Sequence, residues 1–134
     1  MSSTISGTTT ARGDLLAYRE SVALDTAEIV TRLRDILGAT LVAYLGEVKE
    51  TRAVAQWAAG VRTPATATVT RLRTAYHAAA MLREKDSAGV VQAWFQGLNP
   101  QLNDISPARA LREQDLATVW PAVIAAARAF AAEG

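Results

Sequence analysis

The residue types that carry covalent or metal chemistry are nearly missing from this 134-residue sequence. It has no cysteine and a single histidine, His77. That excludes disulfides, thiolate nucleophiles and Cys-ligated zinc, and leaves no two-histidine metal motif. No Gly-X-Ser-X-Gly elbow positions a serine, and neither Gly-rich phosphate loop occurs, so hydrolase and nucleotide-binding readings lack a motif. His77, between Tyr76 and Ala78, reads as a packing residue, and the chain reads as no enzyme. The side chains that remain suited to chemistry are suited to binding. Lys49, Thr51, Arg52 and Gln56 lie just after Gly46, and Arg62 and Thr63 follow the next glycine.

The elements that would position them form a recognisable pattern. A short apolar segment over 40–45 leads to a turn at Gly46, and a helix from Lys49 puts Ala53, Val54 and Trp57 on one face and Lys49, Arg52 and Gln56 on the other. This is helix-turn-helix grammar: the second helix must fit a groove about 12 Å wide, with its first residues at base edges. Lys49, Thr51 and Arg52 are then the expected base or phosphate contacts. Gln56 is a candidate adenine reader, and Arg62 and Thr63 would hold backbone. Spacing alone also fits a plain αα-hairpin with solvated charges. Charge distribution bears on the choice. Between Val48 and Arg83, six basic residues (Lys49, Arg52, Arg62, Arg71, Arg73, Arg83) face one acid, Glu50, although the whole chain carries only +1.

The rest of the chain reads as helix throughout, and the fold class expected is all-α. Met1 to Gly13 is Ser/Thr/Gly-rich and reads as a loose tail. Asp14 is placed to cap a short helix over 14–22, Asp25 a second helix ending at Gly38, Ser87 one that stops at Gly97, and Ser106 one with Pro107 at its first position. A long helix spans Thr66 to Glu84 and another Asp115 to Glu133, where Pro121 predicts a kink or the true first turn. Lys85 to Ser87 is the expected boundary between a DNA-binding domain over 14–85 and a second domain over 86–134. Trp94, Phe95 and Trp120 read as core or as interface anchors. No signal-peptide pattern and no unbroken apolar run of membrane length appear, so a cytoplasmic protein without a membrane partner is expected.

Two stretches in this order resemble a known family. Gly46-Glu47-Val48-Lys49, Trp57, Gly60 and Pro64 are followed by Trp94, Phe95, Asn99, Pro100, Leu102, Ser106, Pro107 and Leu111. Over 27–134 the chain resembles the Xre/MbcA/ParS-like antitoxins, which join a helix-turn-helix domain to a small helical toxin-binding domain. Pro121 departs from the family's ordinary apolar residue there. The resemblance implies a non-enzymatic antitoxin without a cofactor of its own. Its partner would be a RES-domain toxin that consumes NAD, masked at its active site, and a dimer of the antitoxin would repress its own operon by binding operator DNA. The toxin-facing residues it implies are Trp94, Asn99, Leu102, Pro107, Arg109, Arg112, Arg128, Phe130 and Glu133. Two further readings stay open: a stand-alone regulator whose second half dimerises or binds another protein, and an interaction adaptor with a degenerate helix-turn-helix.

Overall fold

The computed structural model describes residues 13–19 and 24–133, all of whose regular elements are helical. Residues 1–12 of the predicted tail and 20–22 of the first predicted helix lie outside the described residues. Helix α1 covers 13–19, so Gly13 and Asp14 are inside the helix, and Asp14 is no cap. It is followed by α2 (Thr26–Leu37), α3 (Ala39–Leu45), α4 (Thr51–Ala58), α5 (Thr66–Arg83), α6 (Ala88–Gln96), a 3-10 turn (Pro100–Leu102), α7 (Pro107–Glu113) and α8 (Leu116–Glu133).

Local capping chemistry fixes most of these boundaries. The Asp25 carboxylate accepts the Glu28 N–H at 2.9 Å, the Ser87 hydroxyl that of Val90 at 3.3 Å, and the Ser106 hydroxyl that of Arg109 at 3.1 Å. Each bond satisfies a donor that the first helical turn leaves free. Pro107 occupies the first position of α7, where its missing N–H costs nothing. Pro121 does not mark the first turn of its helix. It lies in the second turn of a continuous α8, and the Ala117 carbonyl it deprives of a partner belongs to an exposed residue, where water can serve it.

Helix α5 is the centre, with α2 and α8 packed against it. Leu72, Ala75, Tyr76, Ala79 and Leu82 are buried on it, and so are Thr74, His77, Ala78 and Met81 on its other faces. A helix enclosed on nearly all sides needs neighbours from both ends of the sequence. Those neighbours make one core: Ile29, Val30 and Leu33 of α2 and Val119, Val123 and Ala127 of α8 belong to the same buried cluster. Polar links also cross the boundary expected at Lys85 to Ser87. Gln92 Nε2 donates to the Ile36 carbonyl at 2.8 Å, and Lys85 Nζ to that of Ala131 at 3.2 Å. The turn at 84–87 is therefore a reversal within a shared core. Helix α8 has the length and apolar composition to cross a bilayer, which a count of unbroken apolar residues does not register. Its Val119, Val123, Ile124 and Ala127 face is buried in the protein.

Candidate functional site

The sequence Leu41-Val42-Ala43 with Leu45 buries α3 against α2 and α4, and Val54 and Trp57 bury α4. Between the two helices the Glu47 N–H bonds the Tyr44 carbonyl at 3.2 Å and the Val48 N–H bonds that of Ala43 at 3.0 Å. This is the Schellman pairing, with the left-handed residue one past the cap. Here that residue is Glu47, at φ 59°, a conformation that costs a side-chain-bearing residue about 1 kcal/mol. Gly46 is required for another reason. A Cβ there would lie 2.7 Å from the Trp57 ring, which is packed beneath the turn. The Trp57 Nε1 is buried without an acceptor among the described residues.

The turn carries Lys49 as an exposed residue ahead of the helix, since α4 starts at Thr51. After α4, the Val61 and Arg62 N–H groups both bond the Gln56 carbonyl, at 3.0 and 3.3 Å. That wrap returns Arg62 to the face of Gln56. Lys49, Glu50, Arg52, Gln56 and Arg62, with Val48 and Ala53, line one shallow recess of about 500 Å³. Among the described residues no carboxylate pairs with Lys49, Arg52 or Arg62. Thr51 and Thr63 are exposed but do not line the recess. Four of the six residues predicted for nucleic acid are thus brought together. Three unpaired cations against one acid can neutralise phosphates, and the Gln56 amide can pair with a base edge.

A second recess forms between the end of α6, the loop after it and the last turns of α8. Ala93, Trp94, Leu98, Asn99, Pro100, Phe130 and Glu133 are among its lining residues, around about 390 Å³. Trp94 stacks edge-on against Phe95 at 5.0 Å and lies 6.4 Å from Phe130. The Asn99 side chain caps the 3-10 turn through the Gln101 N–H at 2.9 Å, and left-handed Asn103 and Asp104 fold the loop back. Of the predicted partner residues, Trp94, Asn99, Phe130 and Glu133 meet here. Others do not. Leu102 and Pro107 are buried in the core. Arg109 pairs with Glu113 at 3.0 Å on the exposed face of α7. Arg112 donates to the Tyr44 carbonyl at 2.8 Å, and Arg128 reaches Asp14 at 2.7 Å. Leu98, 76% exposed, is a recess residue that sequence reasoning missed. Its signal was a leucine in a turn-rich loop, with no helical face on which to bury.

A third feature was invisible in the sequence. Asp14 Oδ1 lies 2.7 Å from His77 Nε2, and Oδ2 accepts from Arg128. Burial is the largest single influence on this carboxyl and opposes ionisation. Hydrogen bonds and charge from His77 and Arg128 together outweigh it and hold the carboxyl below the usual 3.8. The ionised carboxylate is an acceptor, so His77 Nε2 carries the hydrogen between them. Leu15, Tyr18, Trp120, Pro121 and Ile124 complete a cavity of about 380 Å³ around the three. Asp14, His77 and Arg128 are paired with one another in it, which ties α1 to α5 and α8.

Comparison with protein-family models, with curated proteins and with solved structures returns no match to this chain.

Proposed function

We propose that the chain is an antitoxin that reads operator DNA through α3, the turn and α4, and occupies a RES-domain toxin through the recess of Trp94, Leu98, Asn99 and Phe130. The observation that carries the DNA half is the gathering of unpaired Lys49, Arg52 and Arg62 around Gln56 on the exposed side of α4. Paired surface charges contribute little to a partner, whereas free cations on and flanking a helix of groove-fitting size attract phosphate at long range. The toxin half rests on the resemblance of the second stretch, and an apolar recess walled by aromatic rings supports it as an anchor site. The two surfaces have no lining residue in common. They can therefore be separated by mutation.

One observation favours the second reading, a lone dimeric regulator. The exposed side of α8 presents Pro121, Ala122, Ala125 and Ala132, with Trp120 46% exposed beside them, a face that a second copy could approach closely. The experiment that tests the proposal is growth and NAD content of cells making a RES-domain toxin together with this chain. The wild type and the Lys49→Ala/Arg52→Ala variant are expected to restore both, and Leu98→Asp to restore neither. A chain that binds DNA yet rescues no toxin of this class places the function with the lone regulator.

A further inference from the structure

The turn before α4 is held from the far half of the chain. Arg71, on α5, is 9% exposed. Its Nη1 lies 3.2 Å from the carboxylate of left-handed Glu47, and its Nε donates to the Leu111 carbonyl at 2.7 Å in the last turn of α7. The next residue of α7, Arg112, donates through Nη1 to the Tyr44 carbonyl at 2.8 Å and lays its guanidinium 4.5 Å from the centroid of the Tyr44 ring. That carbonyl also accepts the Glu47 N–H. Both partners of the Glu47–Tyr44 hydrogen bond that opens the turn thus meet a guanidinium, and both guanidinia are anchored at residues 111 and 112. Arginine suits the task because its rigid fork serves a carboxylate and a carbonyl at once.

We propose that Arg71 and Arg112 are positioning residues for DNA reading: they clamp the turn between α3 and α4 to the end of α7 and so set the angle at which α4 presents Arg52 and Gln56. The proposal rests on the DNA-reading half of the function above. Arg71 is enclosed and Arg112 is engaged with Tyr44, so neither adds a phosphate contact of its own. Their loss therefore lowers affinity without changing the number of ions released on binding.

The test uses the full chain with Arg71→Met, Arg112→Met, Glu47→Gln and Glu47→Gly. Two readouts are taken. The first is residue-resolved amide hydrogen exchange without DNA. The second is binding of the labelled duplex lying immediately upstream of the chain's own reading frame, over a salt series, with an unrelated duplex of equal length alongside. In Arg71→Met and Arg112→Met, exchange of the Glu47 and Val48 amides is expected to rise while α5 and α8 keep wild-type protection. Affinity is expected to fall about two- to thirtyfold, the range for substitutions along a coupling path, with an unchanged salt slope. Glu47→Gly, which removes the left-handed strain, is expected to make a second Arg71→Met substitution less costly than it is in the wild type. If Arg71→Met does not fold, Glu47→Gln alters only a half-exposed carboxylate and carries the same test. Unchanged exchange at residues 47 and 48 in Glu47→Gln and Arg112→Met overturns the clamp. Raised exchange with unchanged affinity, or a slope reduced by about one unit, overturns its positioning role. A wild type that binds neither duplex overturns DNA reading itself, while the exchange data still decide whether the clamp exists.

Discussion

The recess on α4 sets a quantitative expectation for salt. Lys49, Arg52 and Arg62 line it without ion-pair partners among the described residues, so each is free to displace one condensed counterion. Three phosphate contacts give a slope of log affinity against log salt of about −2.7 per protomer, or about −5.4 if two protomers engage one operator. Raising salt from about 50 to about 200 mM then weakens binding about fortyfold for one protomer and about two-thousandfold for two. Arg52→Ala removes one contact per protomer and should reduce the slope by about 0.9 for each copy bound, at every operator sequence tested. Gln56→Ala should leave the slope unchanged and relax discrimination at one base pair by about 1–3 kcal/mol. Fluorescence anisotropy of a labelled operator duplex across the salt series measures all three. Binding that does not vary with salt, or a slope that Arg52→Ala leaves intact, would refute the assignment of this recess to DNA.

Two further expectations concern stability. Asp14→Asn keeps the shape but removes the charge that binds His77 and Arg128, and should cost about 2 kcal/mol at neutral pH by urea unfolding. The folded-state pKa of Asp14 lies below its usual 3.8, so this contribution is complete above that value and fades as pH falls through the folded-state pKa. The gap between wild type and Asn variant should accordingly close in strong acid, and a gap independent of pH would show that the charge is not what stabilises. Gly46→Ala would place a Cβ 2.7 Å from the Trp57 ring, an overpacking expected to cost about 1–3 kcal/mol and to shift tryptophan fluorescence. Unaltered thermal unfolding would mean that the ring is not seated under the turn.

What the sequence made legible is what short-range chemistry decides. Asp25, Ser87, Ser106 and Pro107 act within one helical turn of themselves, and each starts the helix it was expected to start. The buried face of α4, Ala53, Val54 and Trp57, follows the same logic, because helical periodicity is written within a few turns of the chain. The contacts that were missed act over distance. Asp14 has the residue type and place of a helix cap, but its partners are 63 and 114 positions away. Arg112 looks like a partner-facing charge until the Tyr44 carbonyl, 68 residues earlier, takes its hydrogen bond. Lys49 moved off its helix because the left-handed residue at 47 prolongs the turn, and no glycine at that position announces it. In the recess on α4, the residues that met were those whose spacing along one local stretch already placed them together, whereas the second recess joins Trp94, Leu98 and Asn99 to Phe130 and Glu133 of α8 through packing. Arg109, Arg112 and Arg128 belong to other faces, and only three-dimensional packing separates them from Asn99 and Phe130.

The enclosure of α5 has a consequence for the life of the polypeptide in the cell. Until residues 116–133 have been made, the surface of α5 that α8 covers has no partner from that helix. Translation is slow, at about 5–20 residues per second, so that surface waits for on the order of a second, long compared with helix formation in about a microsecond. Completed α8 closes it, and the ties from Arg128 to Asp14 and from Lys85 to Ala131 fasten it. Any protease or chaperone that samples nascent chains therefore meets an unfinished molecule with an open apolar groove, and local fraying of α8 in the mature protein would reopen the same door.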